Sequence, residues 1–97
     1  MNFKILILEE AKSDVRESIA WYKNINPMLS NRFANSFNNS VKQIKENPFR
    51  YQIRYDEIRV VLLKTFPYLI HFSIDNETIV IKAVLHTSRN SKINKIF

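Results

Sequence analysis

The chain begins with a continuous apolar run, FKILIL from Phe3 to Leu8, which has strand length and fits a strand covered on at least part of both faces. From Ala11 the spacing changes to steps of four and three. Ala11, Val15, Ile19 and Tyr22 share one side, while Lys12, Asp14, Arg16, Glu17 and Lys23 fill the other. That pattern predicts an amphipathic helix, with acids early and a lysine late, as the helix dipole favours. NINPM ends it. Asn26 is a good N-cap ahead of a proline at the first helical position. A second helix is therefore predicted, with Leu29, Phe33, Phe37, Val41 and Ile44 on one stripe until ENPF stops it. So short a link makes the two helices an antiparallel hairpin. The remainder, YQIRYDEIRVVLLKTFPYLIHFSIDNETIVIKAVLH, reads as strands broken by YDE, TFP and DNE. This order predicts an α+β domain: an N-terminal strand, then a helical hairpin packed on one face of a mainly antiparallel sheet.

Alternation along each strand assigns faces. In YLIHFSI, Tyr68, Ile70, Phe72 and Ile74 point one way, and Leu69, His71 and Ser73 the other. In TIVIKAVLH, Ile79, Ile81, Ala83 and Leu85 oppose Val80, Lys82, Val84 and His86. The first set of each strand is expected beneath the helices. A turn at Asn76-Glu77 then places His71 opposite Lys82. A three-residue loop around Phe66 puts Val60 and Leu62 in the core and Arg59, Val61 and Leu63 on the open face. The opposite register would bury Arg59 without an evident partner, which is costly. The expectation is an open face shared by Arg59, His71, Lys82 and His86, with Arg89 at its end and Lys92 beyond.

Composition narrows the field. Ninety-seven residues support one core, so residues 1–97 are expected to form a single domain. Hydrophobic residues make up 45% of the chain, which argues against disorder. The absence of cysteine removes disulfides, thiol catalysis and thiolate metal sites, and suits a cytoplasmic protein. The absence of glycine excludes phosphate loops and dinucleotide fingerprints, and leaves the tight turns to Asn, Asp and Pro. The apolar run at the start is too short for a signal-peptide core or a bilayer span, so no membrane association is expected. Net charge is +6, and residues 50–97 carry eight Lys/Arg against four Asp/Glu. Such a surface draws anionic partners: nucleic acid, acidic protein segments or phospholipid.

The order strand, two helices, strands is joined by several phrases: ANSFNNSVKQIKENP in the second helix, NPFRY after it, IRVVLLKTFPYLIHF, and IKAVLHTSRN at the end. Together they resemble the RelE/ParE superfamily of bacterial toxins over nearly the whole chain. The most specific parts are Arg59 opening a strand, the FPY turn (Phe66, Pro67, Tyr68), and the ending with His86 and Arg89. The resemblance implies the toxin half of a type II toxin–antitoxin pair, neutralised by a cognate antitoxin in a hetero-oligomer. RelE-like members cut mRNA on the ribosome; ParE-like members poison DNA gyrase without chemistry of their own. The wording here is closer to the ParE side. Arg50 and Arg54 stand where ribonuclease members often carry a lysine cluster, and the tail KINKIF has only Phe97 as an aromatic. A relative that only binds antitoxin is the third alternative.

For RNA cleavage the residues would be His86 for proton transfer and Arg59 and Arg89 to grip the phosphate through forked hydrogen bonds. For binding a target or an antitoxin they would be Arg54, Arg59, His71, Lys82 and Arg89. Each has a plainer reading: His86 ordering a strand end, the arginines in weak surface pairs with Asp56 or Glu57, His71 and Lys82 on a solvated face. Glu9, Glu10, Asp14 and Glu17 fit the dipole-favoured start of a helix rather than an acidic pair site. Two histidines on neighbouring strands lack a third ligand, so neither a metal nor another cofactor is expected. Trp21 sits at the edge of the helical stripe as packing or as an interface anchor, and Tyr51 and Tyr55 either stack on bases or cap the core.

Overall fold

The computed structural model describes residues 2–88. Strand β1 (Lys4–Ile7) leads into helices α1 (Glu9–Ile25) and α2 (Pro27–Glu46). A 3₁₀ turn (Pro48–Arg50) follows, then strands β2 (Ile53–Tyr55), β3 (Ile58–Leu62), β4 (Tyr68–Asp75) and β5 (Thr78–His86). The strands form one sheet in the order β1-β5-β4-β3-β2, antiparallel throughout except where β1 runs parallel to β5. This is the α+β architecture the apolar spacing predicts, with the hairpin on one face.

The helix boundaries follow from chemistry legible in the chain. Asn26 Oδ1 accepts the Met28 N–H at 2.9 Å, and Pro27 opens α2 where its missing N–H costs nothing. Glu9 and Glu10 occupy the first turn of α1 and Lys23 the last. Phe33, Phe37 and Ile44 of α2 are buried against Tyr68, Ile70, Phe72, Ile79, Ile81 and Val84 of the sheet. Tyr22 joins them through ring contacts with Phe33, Phe66 and Tyr68, at centroid separations of 5.6, 5.2 and 6.3 Å. Each such aromatic pair adds about 0.5–1.5 kcal/mol beyond area burial.

The strand registers depart from expectation at two points, and each shifts side chains to the other face. Leu63 N–H donates to Tyr68 O at 2.9 Å, so the loop between β3 and β4 spans residues 64–67 and is one residue longer than predicted. Arg59 and Val61 consequently pair with Phe72 and Ile70 on the helix side, while Leu62 pairs with Leu69 on the reverse. The turn at Asn76-Glu77 forms as expected, with Asp75 opposite Thr78. The register then slips between Phe72, opposite Ile81, and His71, opposite Ala83. Lys82 is the extra residue of a β-bulge. Beyond it Val84 and His86 turn beneath the helices, and Ala83 and Leu85 turn out to the reverse face.

With no glycine available, the chain bends through other residues. Asp56, Glu57, Thr65 and Asn76 adopt φ of 42°, 68°, 69° and 56°. Asp and Asn tolerate this region; Glu57 and the β-branched Thr65 hold it at a cost of about 1 kcal/mol or more.

Candidate functional site

The expected basic face does not assemble. Arg59 lies on the helix side near one corner of the sheet. Its guanidinium sits over the Phe49 ring, 5.3 Å from the centroid, and donates through Nη1 to Tyr51 O. It therefore clamps the 3₁₀ turn and the approach to β2, and the partner that sequence reasoning did not find is a backbone carbonyl. Arg50 reinforces the same corner, donating to Tyr51 Oη at 3.1 Å and lying 5.1 Å from that ring's centroid. NPFRY is thus absorbed in large part by local packing.

His86 is also on the helix side, but at the other end of the sheet. Its ring meets Tyr68 edge-on at 5.1 Å, and its Nδ1 accepts the Ser88 N–H at 3.1 Å, leaving the ring proton on Nε2 when neutral. It borders a cleft of about 350 Å³ beside α1, with Asp14, Glu17, Trp21, Tyr68 and Val84 among the lining and, among the described residues, no lysine or arginine. Asp14 Oδ2 accepts the Val84 N–H at 2.9 Å across the helix–sheet boundary. Burial raises the Asp14 carboxyl above its ordinary pKa, against the lowering effect of that bond, and Glu17 and Glu10 raise it further. The negative lining repels phosphate. Arg59 and His86 flank β4 on opposite sides, opposite residues four apart, so strand geometry puts their Cα atoms about 16 Å from one another. No single phosphate spans them.

His71, expected in the open, is buried at 1% exposure. Its Nδ1 lies 2.9 Å from the Tyr55 hydroxyl, and its Nε2 has no partner among the described residues. Burial holds its pKa down at about 4, so it is neutral at physiological pH. Burial also raises the Tyr55 phenol, with Asp56 adding to the shift. Of the expected face only Lys82 is exposed, at the bulge; Arg54 is exposed on β2. Arg89 lies outside the described residues, as do Lys92 and Phe97.

What the reverse face does present is apolar. Leu62, Leu69 and Leu85 form a row in register across three strands, and Leu6 pairs with Val80 at the β1 edge. Leu62 is 59% and Leu6 50% exposed, towards opposite edges of that face, with the Val60–His71–Ala83 row between their two rows. The signal was in the sequence. VVLLK and TIVIKAVLH carry apolar residues at nearly every position, the mark of strands apolar on both faces.

This arrangement, a helical hairpin on one face of a sheet whose other face carries exposed leucines, defines a small α+β domain suited to engaging macromolecules. Residues 5–91 match the family described as the ParE toxin of the type II toxin-antitoxin system, parDE, and the chain belongs to that family. Its structure is similar to one described as the chromosomal ParDE TA system from P. aeruginosa, with a TM-score of 0.78 and 16% sequence identity. That likeness covers 89% of this chain and 97% of the other, and it shows a shared fold. Comparison with curated proteins gives no match.

Proposed function

We propose that the protein is a toxin that stops growth by binding DNA gyrase, in the cytoplasm, and that a cognate antitoxin neutralises it by covering the apolar reverse face of the sheet. The observation that carries this reading is the separation of the basic and imidazole groups. Cleaving RNA without a metal needs a proton-transfer group and phosphate-gripping cations around one linkage. Here His86 stands beside carboxylates, and Arg59, its Cα about 16 Å from that of His86, is occupied with the Phe49–Tyr51 corner. A protein that acts by occupying a surface requires no such convergence. The leucine row supports an antitoxin segment with apolar residues along one side, since covering Leu62 and its neighbours contributes roughly 25 cal/mol per Å² of apolar surface removed from water.

The test is direct. Purified protein added to gyrase and supercoiled plasmid should cause cleaved plasmid to accumulate, and the antitoxin should prevent it. Unaffected gyrase, together with cut messages in translating extracts, would establish the ribosome-dependent endoribonuclease instead. An inert relative would leave both substrates intact.

A further inference from the structure

We propose that the cleft between α2 and the free end of β3 binds an extended, acidic segment of a partner protein, added to the sheet as a further strand. The cleft, of about 790 Å³, shares Leu62 with the reverse face and shares no lining residue with the His86 cleft. Three independent features of it point to the same occupant.

The first is an open strand edge. β2 pairs with β3 only as far as Ile53 opposite Arg59, so among the described residues the end of β3 at Leu62 has no strand on its outer side. Leu63 N–H turns inward to Tyr68 O, so alternation turns the N–H and C=O of Leu62 outward, into the cleft that Leu62 lines. An unpaired edge of this kind is a template for an added strand.

The second is a ladder of side-chain amides on the opposite wall. Asn35, Asn39 and Gln43 stand one turn apart along α2, all exposed, and among the described residues their side-chain amides make no hydrogen bond. Four helical residues rise about 6 Å. Two residues of an extended chain advance about 6.7 Å. Successive amides can therefore meet successive outward-facing peptide groups on the far side of an extended segment, over about four of its residues. Ser36 Oγ donates to Lys64 O at 2.9 Å and holds the two walls together.

The third is charge. Arg32, Lys42 and Lys64 border the cleft against the single carboxylate of Glu46, so acidic side chains on the segment are favoured. A DNA backbone presents acceptors alone and leaves the Leu62 carbonyl unpaired, and RNA adds only a 2′-hydroxyl, whereas a peptide offers an N–H and a C=O at the spacing of a strand edge. The proposal does not depend on which cellular target the protein engages.

The probe is a capped hexapeptide alternating valine and glutamate, titrated into the isotope-labelled chain and followed by NMR. The side-chain amide signals of Asn35, Asn39 and Gln43 and the backbone amide of Leu62 should move together. Lys64→Glu should weaken binding roughly tenfold. Asn39→Ala should weaken it severalfold, and the rest of each spectrum reports that the fold is intact. Methylating the peptide's edge-facing nitrogens should abolish binding. The proposal is overturned if those signals stay still, if the methylated peptide binds equally well, or if a thymidine hexanucleotide moves them and the peptide does not.

Discussion

His71 shows how one residue's surroundings decide its chemistry. An imidazole in the middle of a sheet, touching a phenol and shut away from water, is a structural group that must remain neutral. Its folded pKa of about 4 lies below the ordinary 6.5, so the unfolded chain binds the proton more readily between those values. Stability from this group is present above pH 6.5 and is lost as pH falls towards 4, by on the order of 3 kcal/mol in all. Urea unfolding between pH 7 and pH 4.5 should show that loss. Replacing His71→Leu together with Tyr55→Phe should flatten this part of the profile, since both polar partners leave together. Asp14 behaves differently. Asp14→Asn keeps an oxygen for the Val84 N–H and should be nearly neutral at pH 7, whereas Asp14→Ala strands that donor and should cost about 1–2 kcal/mol in chemical denaturation.

At the scale of elements, the helices were legible and the strand faces were not, for a physical reason. Helical stripes are read from many residues at once, and Phe33, Phe37 and Ile44 lie where their spacing predicts. Strand faces depend on parity, which one added residue reverses. The 64–67 loop and the Lys82 bulge each contribute that one residue, so Arg59 and His86 left the face assigned to them. Both are still side by side with residues the sequence quoted, but on the helix side and apart. Parity gives little warning when apolar residues occupy both faces, as in AVL before His86. The bulge yields two mild predictions. Lys82→Ala removes an exposed side chain and should change stability by less than about 0.5 kcal/mol. Deleting Lys82 removes the extra residue while strict alternation still sends Ile81, Val84 and His86 to the helix side, so the core should be kept at a cost below about 1 kcal/mol in thermal or urea unfolding.

For the molecule as a whole, charge and apolar surface are separated. Positive charge dominates overall, yet four acids lie in the first half of α1, and the reverse of the sheet is aliphatic. This division suits a protein with several contact surfaces better than one with a single reactive centre. The fold places His86 and Arg59, two of the three groups expected for cleavage, on opposite flanks of β4, and the account stands or falls on their independence. Cleavage sites should therefore be mapped in translated messages from cells expressing the wild-type chain and His86→Ala. The account predicts intact messages in both and growth arrest that survives the substitution. Discrete cuts in the wild type that vanish with His86→Ala, together with the arrest, would contradict it.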